Sequence, residues 1–220
     1  MEKIVAQVKE WGLLAQLPTE FAGFTLLVEL QEQDTQYHIF TYQNEEWHKS
    51  FSVLYDTATK EFLGRTVIGL MEYFDVNFIV ADIETLGNLL SKRLKGDLTD
   101  LAVFNVDKLD SILIDTKVLE WSYGEKLPTK IAGFELFIKP CEPLKIINGS
   151  YIIIDYSDFS TESSLVIYYN IFRDEFFGEI RLRRTPQMTA VFDAAVLEEL
   201  QEKLTTHLTR VLEDMRAQLG

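Results

Sequence analysis

The chain is poor in the residues on which disulfide, metal and nucleophile chemistry depends. Its 220 residues include three histidines and one cysteine, Cys141, so no internal disulfide can form. It has no phosphate-binding glycine loop, no nucleophile elbow, no HExxH motif and no CxxC motif. These absences remove the main sequence support for nucleotide-phosphate and zinc-hydrolase chemistry, and they predict a protein without cofactor or metal.

The sequence also has no long apolar run and no leader of the secretory type. No segment approaches the length of a membrane span, and the first residues lack the basic start and apolar core of a signal peptide. We therefore expect no membrane partner and a cytoplasmic location.

The isolated reactive side chains do not form a pattern typical of an active site. The histidines, His38, His48 and His207, lie far apart in the sequence without the spacing of a metal site. Cys141 stands beside Glu142, a neighbour that disfavours the thiolate form. The sequence therefore favours a non-catalytic protein over an enzyme, although an enzyme with one specialised copy of the repeat described below remains an alternative.

Positive charge is scarce. There are 21 basic and 35 acidic side chains, which give a net charge of −14. An acidic surface repels phosphate backbones, so this balance disfavours nucleic acid as a partner and suits a basic protein instead.

The most informative segment occurs twice. Residues 10–24 read EWGLLAQLPTEFAGF and residues 120–134 read EWSYGEKLPTKIAGF, with identity at eight of fifteen positions. A repeat of this length indicates one structural unit written twice. It predicts a tandem duplication, with a first repeat at residues 1–106 and a second at residues 107–220.

Each copy predicts a short opening helix, four antiparallel strands in a meander and a closing helix, which is an α+β fold. The closing helices are expected to begin after the capping carboxylates Asp82 and Asp193. A further strand at residues 77–80 fits the first copy. In the second copy, Asn148 and Gly149 predict a tight hairpin turn.

Several predicted strands are apolar at consecutive positions, for example residues 152–154 and 166–169. Such runs indicate that both faces of the sheet are covered. Helices would cover one face. For the other face, the sequence predicts a pseudo-twofold pairing of the two copies, and it leaves open a homodimer formed through this face or through the C-terminal helix.

Two clusters are candidates for binding. Arg181, Arg183 and Arg184 form the densest positive group, and a strand here would place Arg181 and Arg183 on one face. They suit pairing with acids on a neighbouring strand or on the other copy, or recognition of a carboxylate or phosphate ligand or of an acidic partner. Tyr169 and Phe172 belong to an aromatic-rich stretch that suits core packing or an anchor patch for a partner.

The leading prediction is a non-catalytic acidic protein that binds another macromolecule, in the manner of an inhibitor, immunity or chaperone-like protein. The alternative is a small-ligand binding protein with its site between the repeats, near Arg181 and Arg183.

Overall fold

A computed structural model describes residues 1–146 and 149–220. The chain is α+β and divides into two compact units, Met1–Phe104 and Asn105–Gly220. Each unit has its own antiparallel sheet and its own hydrophobic core. The predicted turn at Asn148 and Gly149 includes Asn148 and lies outside the described residues.

The first unit contains a six-stranded sheet and two helices. The helices are α1 (Glu2–Lys9) and α2 (Ile83–Ala102). The strands are β1 (Glu20–Phe21), β2 (Phe24–Gln33), β3 (Gln36–Asn44), β4 (Lys49–Asp56), β5 (Glu61–Ile68) and β6 (Met71–Val80). They lie in the sheet in the order β1-β2-β3-β4-β5-β6, so each pairs with its neighbour in the chain.

In its described residues, the second unit contains a seven-stranded sheet and two α-helices. The helices are α3 (Ser111–Asp115) and α4 (Leu197–Leu219). The strands are β7 (Lys130–Ile131), β8 (Phe134–Ile138), β9 (Leu144–Lys145), β10 (Ser150–Asp158), β11 (Ser163–Asn170), β12 (Glu175–Leu182) and β13 (Thr185–Ala194). Their order is β13-β12-β11-β10-β8-β7, and β9 pairs with β10.

The long helices pack on their sheets through leucines spaced four residues apart, a spacing that places them on one helix face. The buried leucines are Leu86, Leu90, Leu94 and Leu98 on α2 and Leu200, Leu204, Leu208 and Leu212 on α4. Each set belongs to the same core cluster as the aromatic side chains of its own sheet. The sets stand at an offset of 114 positions in the sequence.

The start of α2 agrees with the sequence prediction, whereas the start of α4 does not. Asp82 is the N-cap of α2 and its carboxylate accepts a hydrogen bond from the Thr85 N–H at 2.8 Å. Asp193 lies in β13, and α4 begins later, after Val196. At the offset of the leucines, Asp82 corresponds to Val196, so the resemblance of the two aspartates was misleading.

The sheets contain more strands than the four predicted for each copy. The missed strands are the two-residue strands at one edge of each sheet, the short β9, and the long strands β6 and β13. Most side chains of β13 are exposed, so it lacks the alternation of apolar and polar residues that identifies a strand. In β6 only residues 77–80 were predicted, and the strand begins at Met71.

A phenylalanine ring packs on a glycine where the last two strands of each sheet meet. A Cβ atom on Gly64 would lie 2.7 Å from the Phe78 Cβ, and one on Gly178 would lie 3.0 Å from the Phe192 ring. In both sheets the pairing register shifts beside this glycine. The absence of a side chain on the glycine thus provides the space that the phenylalanine occupies.

The repeated LPT sequence is tied to each sheet by a tyrosine. The Tyr42 hydroxyl donates to the Pro18 carbonyl at 2.7 Å, and the Tyr156 hydroxyl donates to the Pro128 carbonyl at 2.6 Å. Burial raises the pKa of both tyrosines. These bonds hold the loop before each first long strand against the core.

Two glycine substitutions in the first unit are expected to have opposite effects. Gly64→Ala should lower the free energy of unfolding by about 1–3 kcal/mol, because the added methyl overlaps Phe78. Gly96→Ala should raise it by about 0.5–1 kcal/mol, because Gly96 lies in α2 with open space around it and alanine favours the helix. Urea denaturation measures both, and a neutral Gly64→Ala would contradict the packing described.

Candidate functional site

A polar cluster lies on the face of the second sheet opposite to α4, within strands β10, β11 and β12. It comprises Asp155, Ser157, Tyr168, Glu179 and Arg181. Alternation along β10 and β11 places these side chains away from the core tyrosines and leucines. We refer to these five residues as the Arg181 cluster.

Asp155 and Ser157 are the most deeply buried members of the Arg181 cluster, each with an exposed fraction of 1%. Burial raises the pKa of this carboxyl to about 6, because the charged form loses water. A hydrogen bond donated by the Ser157 hydroxyl at 2.7 Å and the positive charge of Arg181 act in the opposite direction. Asp155 thus changes charge near neutral pH.

Arg181 is held within the cluster by its own strand and by its neighbour. Its Nε lies 2.5 Å from the Glu179 Oε1, and its Nη2 donates to the Tyr168 hydroxyl at 3.4 Å. The Tyr168 ring stacks on Phe177 with centroids 4.9 Å apart. The guanidinium therefore already has an anionic and a neutral partner, and the acid, Glu179, lies on its own strand rather than on a neighbouring strand or on the other copy of the repeat.

The other two arginines do not share the strand face of Arg181. Strand β12 ends at Leu182, and Arg183 and Arg184 form the turn to β13 with φ angles of 49° and 65°. Arg183 donates through Nη2 to the Leu219 carbonyl at 3.2 Å, and Arg184 pairs with Glu162 at 2.6 Å. The predicted common face of Arg181 and Arg183 is therefore wrong, because the chain reverses one residue after Leu182.

The two predicted aromatic anchors lie in different environments. Tyr169 is 1% exposed, belongs to the core of the second unit and donates its hydroxyl to Asp174. As a result it offers no ring surface to a partner. Phe172 is 78% exposed and its ring lies over Gly149 at the turn between β11 and β12.

A shallow depression of about 480 Å³ opens beside the start of β8, and its charged side chains are paired. Arg216 contacts Asp158 at 2.8 Å, and Lys130 contacts Glu135 at 2.8 Å. Burial alone would raise the pKa of Asp158, but hydrogen bonds from Ser160, Thr161 and Arg216 hold it well below its usual range. The pairing of both cations weakens this depression as an anion site.

The edge of the first sheet has a different character, because strand β6 exposes apolar side chains. Phe74, Val76 and Ile79 are all exposed, and Val76 reaches 67%. The sequence prediction missed Phe74 and Val76, since it placed a strand only at residues 77–80. The β-forming residues of MEYFDVNFIV were the signal that could have identified them.

Carboxylates flank this apolar strip in excess of basic groups. Asp75 of β6 lies 3.8 Å from the guanidinium of Arg93 on α2, which also lies 3.6 Å from Asp97. Burial raises the pKa of Asp97, and repulsion by Asp75 and Asp100 adds to the effect against the attraction of Arg93. The shift is mainly an effect of burial, and the two neighbouring carboxylates Asp75 and Asp100 contribute a smaller repulsion.

Within residues 1–146 and 149–220, no group of three or more His, Cys, Asp or Glu side chains is placed to hold a metal ion. Cys141 is exposed and not in a disulfide. None of the helices in the described part of the chain is long and apolar enough to cross a membrane. Comparisons of the chain with protein-family models, with curated proteins and with solved structures found no match.

The Arg181 cluster predicts a pH dependence of stability. Burial raises the pKa of Asp155 from its ordinary value of 3.8 to about 6 in the folded protein, so its carboxyl destabilises the fold progressively as pH rises through this interval. Asp155→Asn should remove this contribution. The urea midpoint of the variant should therefore increase relative to that of the wild type as pH rises from 4.5 to 7. A difference in midpoint that does not change with pH would contradict the raised pKa of Asp155.

Proposed function

We propose that this chain is a non-catalytic acidic protein that binds another macromolecule, as inhibitor, immunity or chaperone-like proteins do. One observation carries the proposal: strand β6 exposes Phe74, Val76 and Ile79 beside carboxylates that outnumber the basic groups. Exposed apolar side chains bordered by charged groups are typical of protein interaction sites. Phe172 is a further anchor in this proposal.

The charge of the chain selects the class of partner. A net charge of −14 favours encounter with a basic protein and disfavours nucleic acid. Since exposed charges are screened over roughly 8–10 Å in physiological salt, such a complex should weaken as salt is added. We place this activity in the cytoplasm. The chain has a single cysteine and so no internal disulfide, which suits a reducing compartment.

We further infer that residues 1–106 and 107–220 are tandem copies of one module. The identical EW, LPT and AGF residues support this, as do three pairs of contacts at matching positions. These pairs are the tyrosine bonds to Pro18 and Pro128, the glycine–phenylalanine contacts of Gly64 and Gly178, and the leucine sets of α2 and α4.

Substitution of Phe74 tests the binding proposal. Phe74→Ser should weaken capture of the partner by about tenfold or more, because it removes apolar contact area from the proposed surface. The immobilised chain would be exposed to a cell lysate at low salt, and retained proteins would be identified by mass spectrometry. The partner should be basic and should elute as salt is raised.

Met188→Ser is the matched control. Met188 is an exposed apolar residue on β13 at the position corresponding to Phe74, with 76% exposure. Its substitution should leave capture unchanged if β6 forms the binding surface. Equal losses in both variants, or no partner retained by the wild type at low salt, would contradict the proposal.

A second candidate function is small-ligand binding near Arg181. The observation in its favour is the Arg181 cluster, in which a buried carboxyl with a pKa of about 6 lies near a forked guanidinium. Arg183 and Arg184, the other two residues predicted for ligand binding, belong to the turn that follows.

Native mass spectrometry tests this second candidate. The purified wild-type chain should carry or accept a small anionic molecule, and Arg181→Lys should lose it, because lysine keeps the charge without the forked donors. Arg184→Lys is the control, since Arg184 lies in the exposed turn. A wild-type protein that stays at its sequence mass and gains no thermal stability from carboxylate or phosphate metabolites would contradict ligand binding.

A further inference from the structure

We propose that the partner contributes an extended basic segment that adds to the outer edge of β6 as an additional antiparallel strand. This inference rests on the proposed function, and it specifies how the partner is held and what its binding segment contains. Addition of a strand to an open sheet edge is an established mode of peptide recognition, in which main-chain hydrogen bonds supply affinity.

The first part of β6 provides a regular edge for such pairing. Strand β6 is last in its sheet, and residues 71–75 pair with β5 without interruption, from Met71 opposite Ile68 to Asp75 opposite Gly64. In an antiparallel pair, alternate residues direct their N–H and C=O groups away from the neighbouring strand. The outer side of residues 71–75 therefore presents a short row of donors and acceptors.

The corresponding edge of the second sheet is blocked by proline. Pro186 of β13 lies opposite Arg181, and Glu72 of β6 lies opposite Val67 at the matching position of the first sheet. Proline is accepted in an edge strand where the missing N–H would have faced outward. The N–H of Glu72 accordingly faces outward, and β6 keeps a donor that β13 lacks.

Charge identifies the occupant of this edge. Glu72 and Phe74 lie on one face of β6 and Asp75 on the other, with Asp97 of α2 near Asp75 through the shared Arg93. A segment in which lysine or arginine alternates with apolar residues directs all its cations to one face, where they would lie beside Glu72 and their aliphatic stems would cover the exposed Phe74 ring. A second copy of this chain would instead bring its own Glu72 and Asp75 close to those of the first.

Glu72→Pro is the decisive variant, because it gives β6 the residue that β13 already has. The probe is a short fluorescent peptide in which lysine alternates with valine and threonine, and binding is read from fluorescence anisotropy. The wild type should bind the peptide with an affinity that falls as salt rises. Glu72→Pro should weaken binding by about tenfold or more, because it removes both the outward N–H and the carboxylate of Glu72. Its circular dichroism spectrum should be unchanged, because the lost N–H does not pair within the sheet.

Two further variants separate hydrogen bonding from charge. Glu72→Gln keeps the N–H and removes the carboxylate, so it should weaken binding less than Glu72→Pro and reduce its salt dependence. Pro186→Glu restores a donor and adds a carboxylate on β13, so the number of peptides bound per chain should rise from one toward two. This gain remains a test even if Glu72→Pro does not fold.

Three outcomes would overturn the proposal. Equal peptide binding by folded Glu72→Pro and the wild type would exclude strand addition. A wild-type dimer in sedimentation that Glu72→Pro converts to a monomer would identify a second copy as the occupant in place of a basic segment. Equal capture of the lysate partner by Glu72→Pro and the wild type would exclude the β6 edge as the binding site and leave the proposed function in place. If the wild type captures no partner at all, the proposed function itself is contradicted.

Discussion

The packing of a phenylalanine ring on a glycine determines how each sheet ends. Because Gly64 has no side chain, Phe78 can turn inward from the last strand, and Gly178 and Phe192 repeat this arrangement. The inward turn interrupts the pairing register, so residues 76–79 and 190–193 have no partner in the adjacent strand. The closing helix follows this interruption. In the first sheet, the regular outer edge is therefore limited to residues 71–75, which precede the interruption. The candidate binding surface therefore depends on one contact in the core.

Much of the α+β architecture could be predicted from the sequence because its strongest patterns serve burial. The leucines spaced four apart lie on the buried face of each long helix, and the consecutive apolar residues of β10 and β11 predicted strands covered on both faces. The LPT sequence was visible as part of a repeat, and in the structure the proline carbonyl of each copy accepts a bond from a buried tyrosine. Burial leaves a periodic pattern in the sequence, and such patterns can be recognised directly.

The candidate site was harder to predict because its features lie where burial is weak. Edge strand β13 exposes most of its side chains and so lacks the alternation of apolar and polar residues. Arg183 continues the strand pattern in the sequence, although its backbone has a positive φ and belongs to a turn. Tyr169 and Phe172 are three residues apart with similar chemistry, yet one lies in the core and the other at a turn. The end of β11 at Asn170 separates them, because Tyr169 lies in the strand and Phe172 in the turn that follows.

The order of the strands has a consequence for folding. In the first sheet every strand pairs with the strand that precedes or follows it in the chain, and no pairing has to wait for a distant segment. Closing short loops costs little chain entropy, and proteins with local contacts fold faster than proteins whose strands pair across long separations. The first unit, with its own core and closing helix, contains all of its pairing partners within residues 1–104 and is therefore equipped to fold during synthesis, before the second unit has been translated.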